Sequence, residues 1–548
     1  MKVYQVFHDQ VDRNGYRPFI HIPREAAQKY APAAIDFTYA QAQIVVEKLR
    51  QQFDVAGYGP GDRIAIALDN RADFFLLFLA LNALDISIVP LNSEQHSHEL
   101  GHVIGHSDAS LIVSLPEHRD KLAKALQTIE AAVPIVDYER TLAALPLTET
   151  SVMPLDDAAL VYTSGSTGQP KGCLLSEDYF VHVGDWYRDL GGYCALEPEC
   201  ERLLTPLPTF HVNALVFSFM AMLSTGGCVV QLDRFHPSSW WGTVRNAKAT
   251  VIHYLGVMPA MLLARPPEST DDFSGQIKFG FGAGVEPEHH AAFESRFGFP
   301  LTEGWAMTET GAAACIMANT DPRHVGTRCI GRVPAAIEYS ILDAQGQKTR
   351  IDEPGELLVR SSGPDRRRAF FSGYYKDEQA TTEAWQGGWF HTGDVVRESA
   401  DGYLFFVERK KNIIRRSGEN IAISEIEATL LQHKAVDVCA VAPVRDSIRG
   451  EEVFACIVLC PDVMPSLDIA LEIFNFCKGR LAYYKTPGYF AFIKEIPTTT
   501  TQKIKRGDMK VLAAELVTSD KTADFRHLKR RGNSKDRKTT SLGVSEGI

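Results

Sequence analysis

The chain has 548 residues, too many for one compact core, and therefore predicts at least two domains. Hydrophobic residues make up 45% of it and charged residues 23%, proportions typical of globular proteins. The formal net charge of −11 argues against a nucleic-acid-binding protein, in which a basic surface is expected.

No targeting or membrane-spanning segment is evident in the sequence. The first ten residues are polar and lack the apolar core of a secretory signal. The longest apolar run, 74–84, is well short of the roughly 20 residues that span a bilayer, so it predicts a buried helix. The ten cysteines are scattered and show no metal-type Cys-x-x-Cys spacing, so they predict reduced core thiols. We therefore expect a cytoplasmic protein with no transmembrane segment.

Residues 1–150 alternate between strand-like and helix-like patterns. A short apolar strand is predicted at 63–68, a helix from Asp73, and a further strand at 86–91. This alternation predicts a mostly parallel sheet covered by helices, so the fold class is α/β.

A loop of small hydroxyl residues, glycines and one lysine follows the strand-like segment 158–161. Its glycines allow close backbone approach, and its free N–H groups and hydroxyls form a nest for an anion such as a polyphosphate. The spacing differs from the nucleoside-triphosphatase loop, which needs Gly, four residues and then Gly-Lys-Ser/Thr. On composition alone, a Ser/Gly-rich linker remains an alternative. The candidate phosphate ligands are Thr163, Ser164, Gly165, Ser166, Thr167, Gly168 and Lys171.

This loop resembles the signature loop of the adenylate-forming superfamily, which includes acyl-CoA synthetases, luciferases and peptide-synthetase adenylation domains. The resemblance continues, in order, through 208–211, 279–287, 303–310, 389–394, 408–421 and 497–506. Within the superfamily the sequence is most similar to bacterial crotonobetaine/carnitine–CoA ligases, on the segments 69–70, 208–211, 417–420 and 445–449.

The resemblance implies a nucleotide site for ATP and Mg²⁺. An aromatic ring can stack on adenine, a threonine hydroxyl can bind the α-phosphate, and a carboxylate can hold Mg²⁺. Trp305 stands where tyrosine is more usual, so we expect stacking to persist and a phenol hydrogen bond to be lost. The implied adenine residues are Gly282, Ala283, Gly284, Glu303, Gly304 and Trp305; Thr308 and Glu309 serve the phosphate and metal, and Asp394 and Arg409 the ribose or phosphate.

The resemblance also implies an acyl pocket. A lone histidine at a helix start is more often a structural hydrogen-bonding group, but the Phe-His pair at 210–211 resembles the family element that borders the substrate, which also makes His211 a candidate catalytic residue. The implied substrate residues are His211, Asn213, Gly256, Val257, Phe281 and Met307.

The implied organisation is a large amino-terminal domain, residues 1–408, with mixed and parallel sheets covered by helices, followed by a small mobile lid. The hinge is 409–411, centred on Lys411, and the lid is 412–515. The lid carries the catalytic Lys503 and the coenzyme A loop residues Ser417, Gly418 and Glu419. Asn412 and Gln502 depart from the family pattern. Residues 516–548 are basic and poor in apolar residues, which predicts a disordered tail.

The expected function is an ATP-dependent acid–thiol ligase that adenylates a carboxylic acid, releases pyrophosphate and transfers the acyl group to coenzyme A. Transfer to an amine or a carrier-protein thiol is one alternative, and a non-catalytic binding protein with the same fold is another. We expect no nucleic-acid partner, and the sequence leaves a homodimer open. It does not identify the acid.

Overall fold

The structure is a computed structural model that describes residues 1–138, 145–146, 156–163, 170–343, 345–409, 413–417, 419–497, 504 and 506–529. The chain divides into two compact units. The first comprises Met1–Gly165, Gln169–Lys411 and Ser447–Gly450, and the second comprises Ser166–Gly168, Asn412–Asp446 and Glu451–Ile548. The predicted α/β architecture, with a large amino-terminal and a smaller carboxy-terminal unit, is confirmed.

The helices of the first unit cover its sheets. The α-helices are α1 Val3–Asn14, α2 Arg24–Ala27, α3 Tyr39–Val55, α4 Ala72–Asn82, α5 Ser97–Ser107, α6 Arg119–Gln127, α7 Glu177–Asp189, α8 Phe219–Thr225, α9 Trp240–Asn246, α10 Val257–Leu263, α11 Pro287–Phe297 and α12 Glu378–Ala384. A π-helix spans Asn213–Ser218, and 3₁₀ helices span Pro116–His118, Gly192–Cys194, Gly311–Ala314 and Gln386–Gly388.

The strands of the first unit form two sheets. They are β1 Pro18–Ile22, β2 Ile35–Thr38, β3 Arg63–Ala67, β4 Ser87–Pro90, β5 Leu111–Ser114, β6 Ile135–Asp137, β7 Asp157–Thr163, β8 Lys171–Ser176, β9 Arg202–Thr205, β10 Cys228–Gln231, β11 Val251–Leu255, β12 Phe279–Ala283, β13 Leu301–Trp305, β14 Ile316–Met317, β15 Cys329–Arg332, β16 Ile337–Leu342, β17 Gly355–Ser361, β18 Gly373–Tyr374, β19 Phe390–Glu398 and β20 Tyr403–Arg409.

The smaller sheet of this unit has the strand order β18-β8-β7-β4-β3-β5-β6. Strands β3, β4, β5, β6 and β7 are parallel to one another, whereas β8 pairs antiparallel with both β7 and β18. Both faces of the sheet are buried, because alternate residues of β3 belong to different hydrophobic cores: Ile64 to one and Ala65 to the other. The parallel sheet predicted for the amino-terminal part is confirmed.

The larger sheet has the order β16-β17-β19-β20-β15-β14-β13-β12-β11-β9-β10-β1-β2. Its middle strands, β1, β10, β9, β11, β12 and β13, are parallel in that order, and the strands from β14 to β16 pair antiparallel. The parallel strands therefore end at a common edge, where ligands of α/β proteins usually bind.

The predicted buried helix is α4. Its residues from Phe74 to Asn82 are all buried, as expected for a helix that is apolar on every side. Among the helices of the described residues, none has the length and apolar character required to cross a bilayer.

The second unit contains a further mixed sheet with helices on it. Its strands are β21 Ile413–Arg416, β22 Glu419–Ala422, β23 Val436–Asp446, β24 Gly450–Leu459, β25 Tyr489–Phe492 and β26 Thr522–Asp524. Its α-helices are α13 Ile423–Leu430, α14 Leu467–Lys478 and α15 Arg506–Leu516, and a 3₁₀ helix spans Arg526–Leu528. The sheet order is β22-β21-β24-β25-β26, with β23 also paired to β24.

The prediction that the disordered tail begins at residue 516 is wrong for residues 516–529. Strand β26 pairs antiparallel with β25. Lys529 is buried, and its Nζ lies 2.5 Å from Oε1 of Glu452, whose Oε2 lies 2.8 Å from Nε of Arg416. The basic composition of this segment suggested a solvated tail, but one of its lysines is an internal ion-pair partner. Residues 530–548 lie outside the described residues.

Candidate active site at the carboxyl edge of the large sheet

The strands β11, β12 and β13 place three predicted segments side by side. Gly256, directly after β11, donates a backbone hydrogen bond to the carbonyl of Ala283 at 3.0 Å. A Cβ atom at Gly256 would lie 1.7 Å from the carbonyl oxygen of Gly284, so only glycine fits there. Gly282 is the register partner of Glu303 on β13. The predicted adenine loop and one wall of the predicted acyl pocket therefore meet at this edge.

Buried contacts fix the shape of the predicted adenine loop. The carboxylate of Glu303, itself buried, accepts a hydrogen bond from the backbone N–H of Val285 at 2.9 Å. Burial raises the pKa of this carboxyl group above its usual value. A Cβ at Gly304 would lie 2.7 Å from the ring of Phe281. Glu303 thus holds the loop, and its contact with a nucleotide stays a prediction.

Trp305 and Asp394, predicted on separate motifs, are joined directly. The indole Nε1 of Trp305 donates a hydrogen bond to Oδ2 of Asp394 at 2.8 Å, and both side chains are buried. We expected that replacing tyrosine by tryptophan would lose a phenol hydrogen bond, and the indole N–H makes a hydrogen bond of its own. The two residues therefore form one buried pair, and their contacts with base and ribose stay predictions.

The turn before Asp394 is fixed by its own polar groups. The hydroxyl of Thr392 donates to the carbonyl of Leu357 at 2.6 Å and accepts from the backbone N–H of Asp394 at 3.0 Å. Gly393 has φ of +67°, which favours glycine. Asp394 is also the register partner of Arg409 in the β19–β20 pair. The side chain of Arg409 lies outside the described residues.

Lys171 begins β8, opposite Thr163 at the end of β7, so the phosphate loop connects an antiparallel pair. Its Nζ lies 3.3 Å from Oδ2 of Asp377 and 4.9 Å from the ring centre of Tyr374. Residues 164–169, which include five predicted phosphate ligands, lie outside the described residues. In the described part, the lysine is held by Asp377 and Tyr374.

Glu309, the predicted Mg²⁺ ligand, contacts the same tyrosine. The hydroxyl of Tyr374 donates to Oε1 of Glu309 at 2.8 Å, and the carboxylate is buried. Burial, and then the charge of Glu309, raises the pKa of Tyr374 far above its usual value, so the hydroxyl stays a donor. Tyr374 therefore links Lys171 with Glu309. Sequence reasoning missed it, although it lies in a Gly-Tyr-Tyr-Lys-Asp segment rich in site-type residues.

Thr308, the predicted α-phosphate residue, is half-buried in the turn between β13 and the helix at 311–314. Its carbonyl accepts a hydrogen bond from the hydroxyl of Tyr179 at 2.9 Å. The backbone N–H of Met307 donates to Oγ1 of Thr310 at 2.9 Å. These contacts fix the backbone of the turn, and the role of the Thr308 hydroxyl stays a prediction.

Two of the predicted acyl-pocket residues, His211 and Asn213, lie at the start of the π-helix. His211 is half-buried with its ring centre 4.6 Å from that of Phe210, and Asn213 is the first residue of the π-helix. π-helical turns are rare and occur mainly at functional sites. Phe217, on the same π-helix, packs against Phe281 with ring centres 5.9 Å apart.

A buried histidine that sequence reasoning left unassigned lies behind this group. Nδ1 of His253 is 2.9 Å from Oδ1 of Asn213 and 2.8 Å from Oγ of Ser218, and its Nε2 is 2.9 Å from the hydroxyl of Tyr187. Its ring centre is 5.0 Å from that of Phe281. The sequence signal was a polar residue inside an otherwise apolar strand.

A cavity of about 100 Å³ adjoins this aromatic group. It shares Trp186, whose ring centre lies 5.8 Å from that of Phe217 and 6.4 Å from that of Phe281. Its other lining residues are Leu190, Cys315, Met317, Ala318, Asn319, Thr320, Gly331, Arg332, Pro334 and Tyr403. The lining is mixed, so the region beside the predicted acyl pocket is not purely apolar.

Part of the predicted site belongs to the second unit or falls outside the described residues. Ser417 has φ of +51° and Glu419 begins β22, and both are half-buried. Lys411, Gly418 and Lys503 lie outside the described residues. The roles predicted for the hinge, the coenzyme A loop and the catalytic lysine stay predictions.

Comparison with known proteins adds the family. Residues 9–375 match the family model described as AMP-binding enzyme, and residues 425–503 match the AMP-binding enzyme C-terminal domain. The chain is 32% identical over 472 residues to sulfoacetate–CoA ligase of Cupriavidus necator, covering 84% of this chain and 89% of that protein. It is 28% identical over 492 residues to crotonobetaine/carnitine–CoA ligase of Escherichia coli, covering 86% and 93%. The fold also matches o-succinylbenzoate CoA synthetase of Bacillus subtilis, with a TM-score of 0.78, 24% identity and coverage of 93% and 98%.

Proposed function

The chain belongs to the AMP-binding enzyme family, and we propose that it is an ATP-dependent ligase that joins a carboxylic acid to coenzyme A. The observation that carries this assignment is the shared contact of Lys171 and Glu309 with Tyr374. It brings the phosphate-loop lysine and a buried carboxylate together in the same unit as the Trp305–Asp394 pair. Similarity to two CoA ligases over more than four fifths of the chain supports coenzyme A as the acceptor.

In the first half-reaction the acid carboxylate attacks the α-phosphorus of ATP, and pyrophosphate leaves. Two anionic groups must approach each other, so neutralising charge is the main requirement. Trp305 and Asp394 bind adenine and ribose, Lys171 and the 163–168 loop bind the phosphates, and Thr308 binds the α-phosphate. Lys503 supplies a further positive charge at the reacting oxygens. No protein nucleophile is needed.

The residues around Glu309 fit a Mg²⁺ ion. Mg²⁺ is usually held by one or two carboxylates together with substrate phosphates, rather than by a cage of protein ligands. Glu309 offers one such carboxylate, oriented by the Tyr374 hydroxyl. When bound, the ion neutralises phosphate charge and polarises the phosphoryl oxygens.

In the second half-reaction the coenzyme A thiol attacks the acyl-adenylate, and AMP leaves. We propose that a rotation about Lys411 takes place between the two half-reactions, because Lys503 cannot stay in contact with the α-phosphate while the thiol approaches. The rotation withdraws Lys503 and brings Ser417, Gly418 and Glu419 towards the thiol. Hinges of this kind are a few residues at the ends of elements that absorb a large dihedral change.

The same proposal includes the acyl pocket and the setting of the enzyme. The acid lies among residues of mixed character, with its carboxylate towards His211. These residues are His211, Asn213, Gly256, Val257, Phe281 and Met307.

We expect the enzyme in the cytoplasm, where ATP and coenzyme A are available. A homodimer is tested by sedimentation at several protein concentrations.

The direct test measures pyrophosphate release from ATP and Mg²⁺ over a panel of carboxylic acids, each with and without coenzyme A. One acid that releases pyrophosphate and yields its thioester supports the ligase. Acyl-AMP without thioester would instead favour transfer to an amine or a carrier-protein thiol. Absence of acid-dependent pyrophosphate release over the whole panel would overturn the proposal.

A matched pair of variants ties the activity to the site. Glu309→Gln removes one negative charge at the proposed metal position and should lower pyrophosphate release at least about 100-fold, because a metal supplies several kcal/mol of charge stabilisation. Glu294→Gln alters another part-buried carboxylate, which pairs with Arg323 and accepts a hydrogen bond from the backbone N–H of Leu301. Equal losses of activity in both variants would mean that Glu309 acts only on stability.

A further inference from the structure

The hydrogen bonds around His253 determine which tautomer its ring adopts. Ser218 has one hydroxyl hydrogen and donates it to the backbone carbonyl of Asn213 at 3.0 Å. With its hydrogen placed there, its oxygen accepts from Nδ1 of His253, 2.8 Å away. With the ring hydrogen on Nδ1, Nε2 is free to accept from the hydroxyl of Tyr187. In the opposite tautomer, the Tyr187 hydrogen would find no acceptor among the described residues.

The tautomer in turn determines the orientation of the Asn213 side chain. The Nδ1–H group of His253 also points at Oδ1 of Asn213, 2.9 Å away, so the amide oxygen is turned towards the histidine. The amide NH₂ group is then turned away from it, and no partner for that nitrogen occurs in the part of the chain that the structure describes. Asn213 is half-buried, whereas His253 is fully buried.

The protonation state and the position of the His253 ring are both fixed by its surroundings. Burial lowers the pKa of His253 to about 3, so the imidazole is neutral at neutral pH and keeps one donor and one acceptor. Phe281 and Tyr187 hold its position, with ring centres 5.0 Å and 5.8 Å away. The π-helix brings Asn213 and Ser218, five residues apart, to the same ring.

We infer that His253 is a positioning residue that fixes the Asn213 amide with its NH₂ group towards the acyl pocket, and that the enzyme therefore selects acids bearing a second hydrogen-bond acceptor. This inference rests on the proposed function. The acceptor is a sulfonate, a carboxylate or a hydroxyl group on the carbon chain of the acid. An alkyl acid of the same shape would leave the amide hydrogens without a partner, which binding sites built around a hydrogen bond reject strongly.

The test compares acids that differ only in the acceptor. The pairs are sulfoacetate with 3,3-dimethylbutanoate, 3-hydroxybutanoate with 3-methylbutanoate, and succinate with 4-methylpentanoate. Each is assayed by acid-dependent ATP–pyrophosphate exchange. The wild-type enzyme should favour the acceptor-bearing acid of at least one pair by roughly 10- to 100-fold in kcat/KM, the range expected for a hydrogen bond to a polar or charged group.

Variants separate positioning from stability. Asn213→Leu should remove the preference while leaving the KM for ATP unchanged. His253→Phe keeps a ring against Phe281 but removes the hydrogen bond that orients the Asn213 amide. It should therefore also lower the preference for the acceptor-bearing acid. His253→Asn places an amide N–H near the former Nδ1, so it should retain most of the preference. His290→Gln, at another buried histidine, should change kcat/KM for both acids of a pair by the same factor.

The outcomes are distinguishable. Selectivity that is lost in Asn213→Leu and retained in His253→Asn supports the inference, even where His253→Phe fails to fold. A wild-type enzyme that adenylates acids without preferring the acceptor-bearing members overturns the inference and leaves the ligase intact. The same holds for variants that lower kcat/KM equally for both acids. No exchange with any acid overturns the proposed function and the inference with it.

Discussion

The indole Nε1 of Trp305 lies 2.8 Å from Oδ2 of Asp394, 89 residues further along the chain. Trp305 ends β13, Asp394 lies within β19, and the antiparallel strands of the large sheet lie between them. The hydrogen bond joins the residues assigned to the base and to the ribose. Substituting one of them should therefore alter the position of the other.

Replacing Trp305 by phenylalanine should raise the KM for ATP more than it changes kcat. The ring still stacks, but Asp394 loses a buried donor, which costs about 1–3 kcal/mol, or roughly 5- to 150-fold. Steady-state kinetics with ATP as the varied substrate measure this. Trp240→Phe is the matched control, because Trp240 is buried and its indole nitrogen has no partner among the described residues. An equal rise in KM in both variants would contradict the role of the hydrogen bond.

Replacing Tyr374 by phenylalanine should raise the Mg²⁺ concentration required for half-maximal activity. Glu309 would lose the donor that orients its carboxylate, and a lost hydrogen bond to a charged group costs about 1.5–3 kcal/mol. Titration of activity with MgCl₂ at fixed ATP measures the shift. The neighbouring Tyr375→Phe removes a hydroxyl that donates to Asp108 and should leave the Mg²⁺ dependence unchanged. A normal Mg²⁺ dependence in Tyr374→Phe would argue against Glu309 as the metal ligand.

Removing the charge of Lys529 should destabilise the second unit. Lys529→Ala leaves Glu452 and Arg416 buried without their third partner, and such uncompensated charge costs about 3–5 kcal/mol. Urea unfolding measures the loss. Lys434→Ala, at an exposed pair with Glu472, should change stability by less than about 1 kcal/mol. Similar small effects in both variants would mean that the buried pair contributes nothing measurable.

His253 should make the stability of the first unit depend on pH. Its pKa is lowered by burial from 6.5 to about 3, so the unfolded chain binds a proton between these values that the folded chain does not. Its contribution is complete above pH 6.5 and declines as pH falls towards 3. At 1.36 kcal/mol per pH unit, the fall between pH 7 and pH 5 is about 2 kcal/mol. His253→Asn should show a fall smaller by that amount, and an identical pH profile would contradict a buried neutral imidazole.

Lys503→Ala should abolish adenylation and leave thioester formation from added acyl-AMP, since the lysine is assigned only to the first half-reaction. Separate assays of pyrophosphate release and of thioester formation check this. Lys411→Pro should do the reverse, because a fixed φ at the hinge prevents rotation. Lys505→Ala is the control for a nearby change of charge. Equal loss of both half-reactions in Lys503→Ala would refute the division of roles.

The sequence was sufficient where chemistry is carried by local patterns. The strand before the phosphate loop was predicted from its apolar run, whereas the adenine loop after β12 and the aromatic-Thr-Glu turn after β13 were assigned from their resemblance to family motifs. The parallel order of the strands then brings them together. This part of the site needed no knowledge of long-range contacts.

Residues that act through distant partners were not predictable in this way. Tyr374 reaches Glu309, 65 residues away, through the pairing of β18 with β8. His253 is a single polar residue in an apolar strand, and its contacts with Asn213 and Ser218 depend on the π-helix that carries both residues. Lys529 was interpreted as part of a basic tail, and the pairing of β26 with β25 is what shows that its segment is folded. In each case the function of the side chain depends on a contact that spacing along the chain does not encode.

The carbonyl of Gly284, 1.7 Å from where a Cβ of residue 256 would lie, also limits how this enzyme can diverge. Many pockets acquire new substrates when a glycine in the wall becomes alanine or valine and shortens the space. Larger side chains are excluded at 256, and also at 282, where a Cβ would lie 2.3 Å from the carbonyl oxygen of Tyr254. The carbonyl of Tyr254 cannot move without moving β11, and the carbonyl of Gly284 cannot move without moving the segment that follows β12. Directed evolution of this pocket should therefore accumulate its changes at 213, 257 and 307 and leave both glycines untouched.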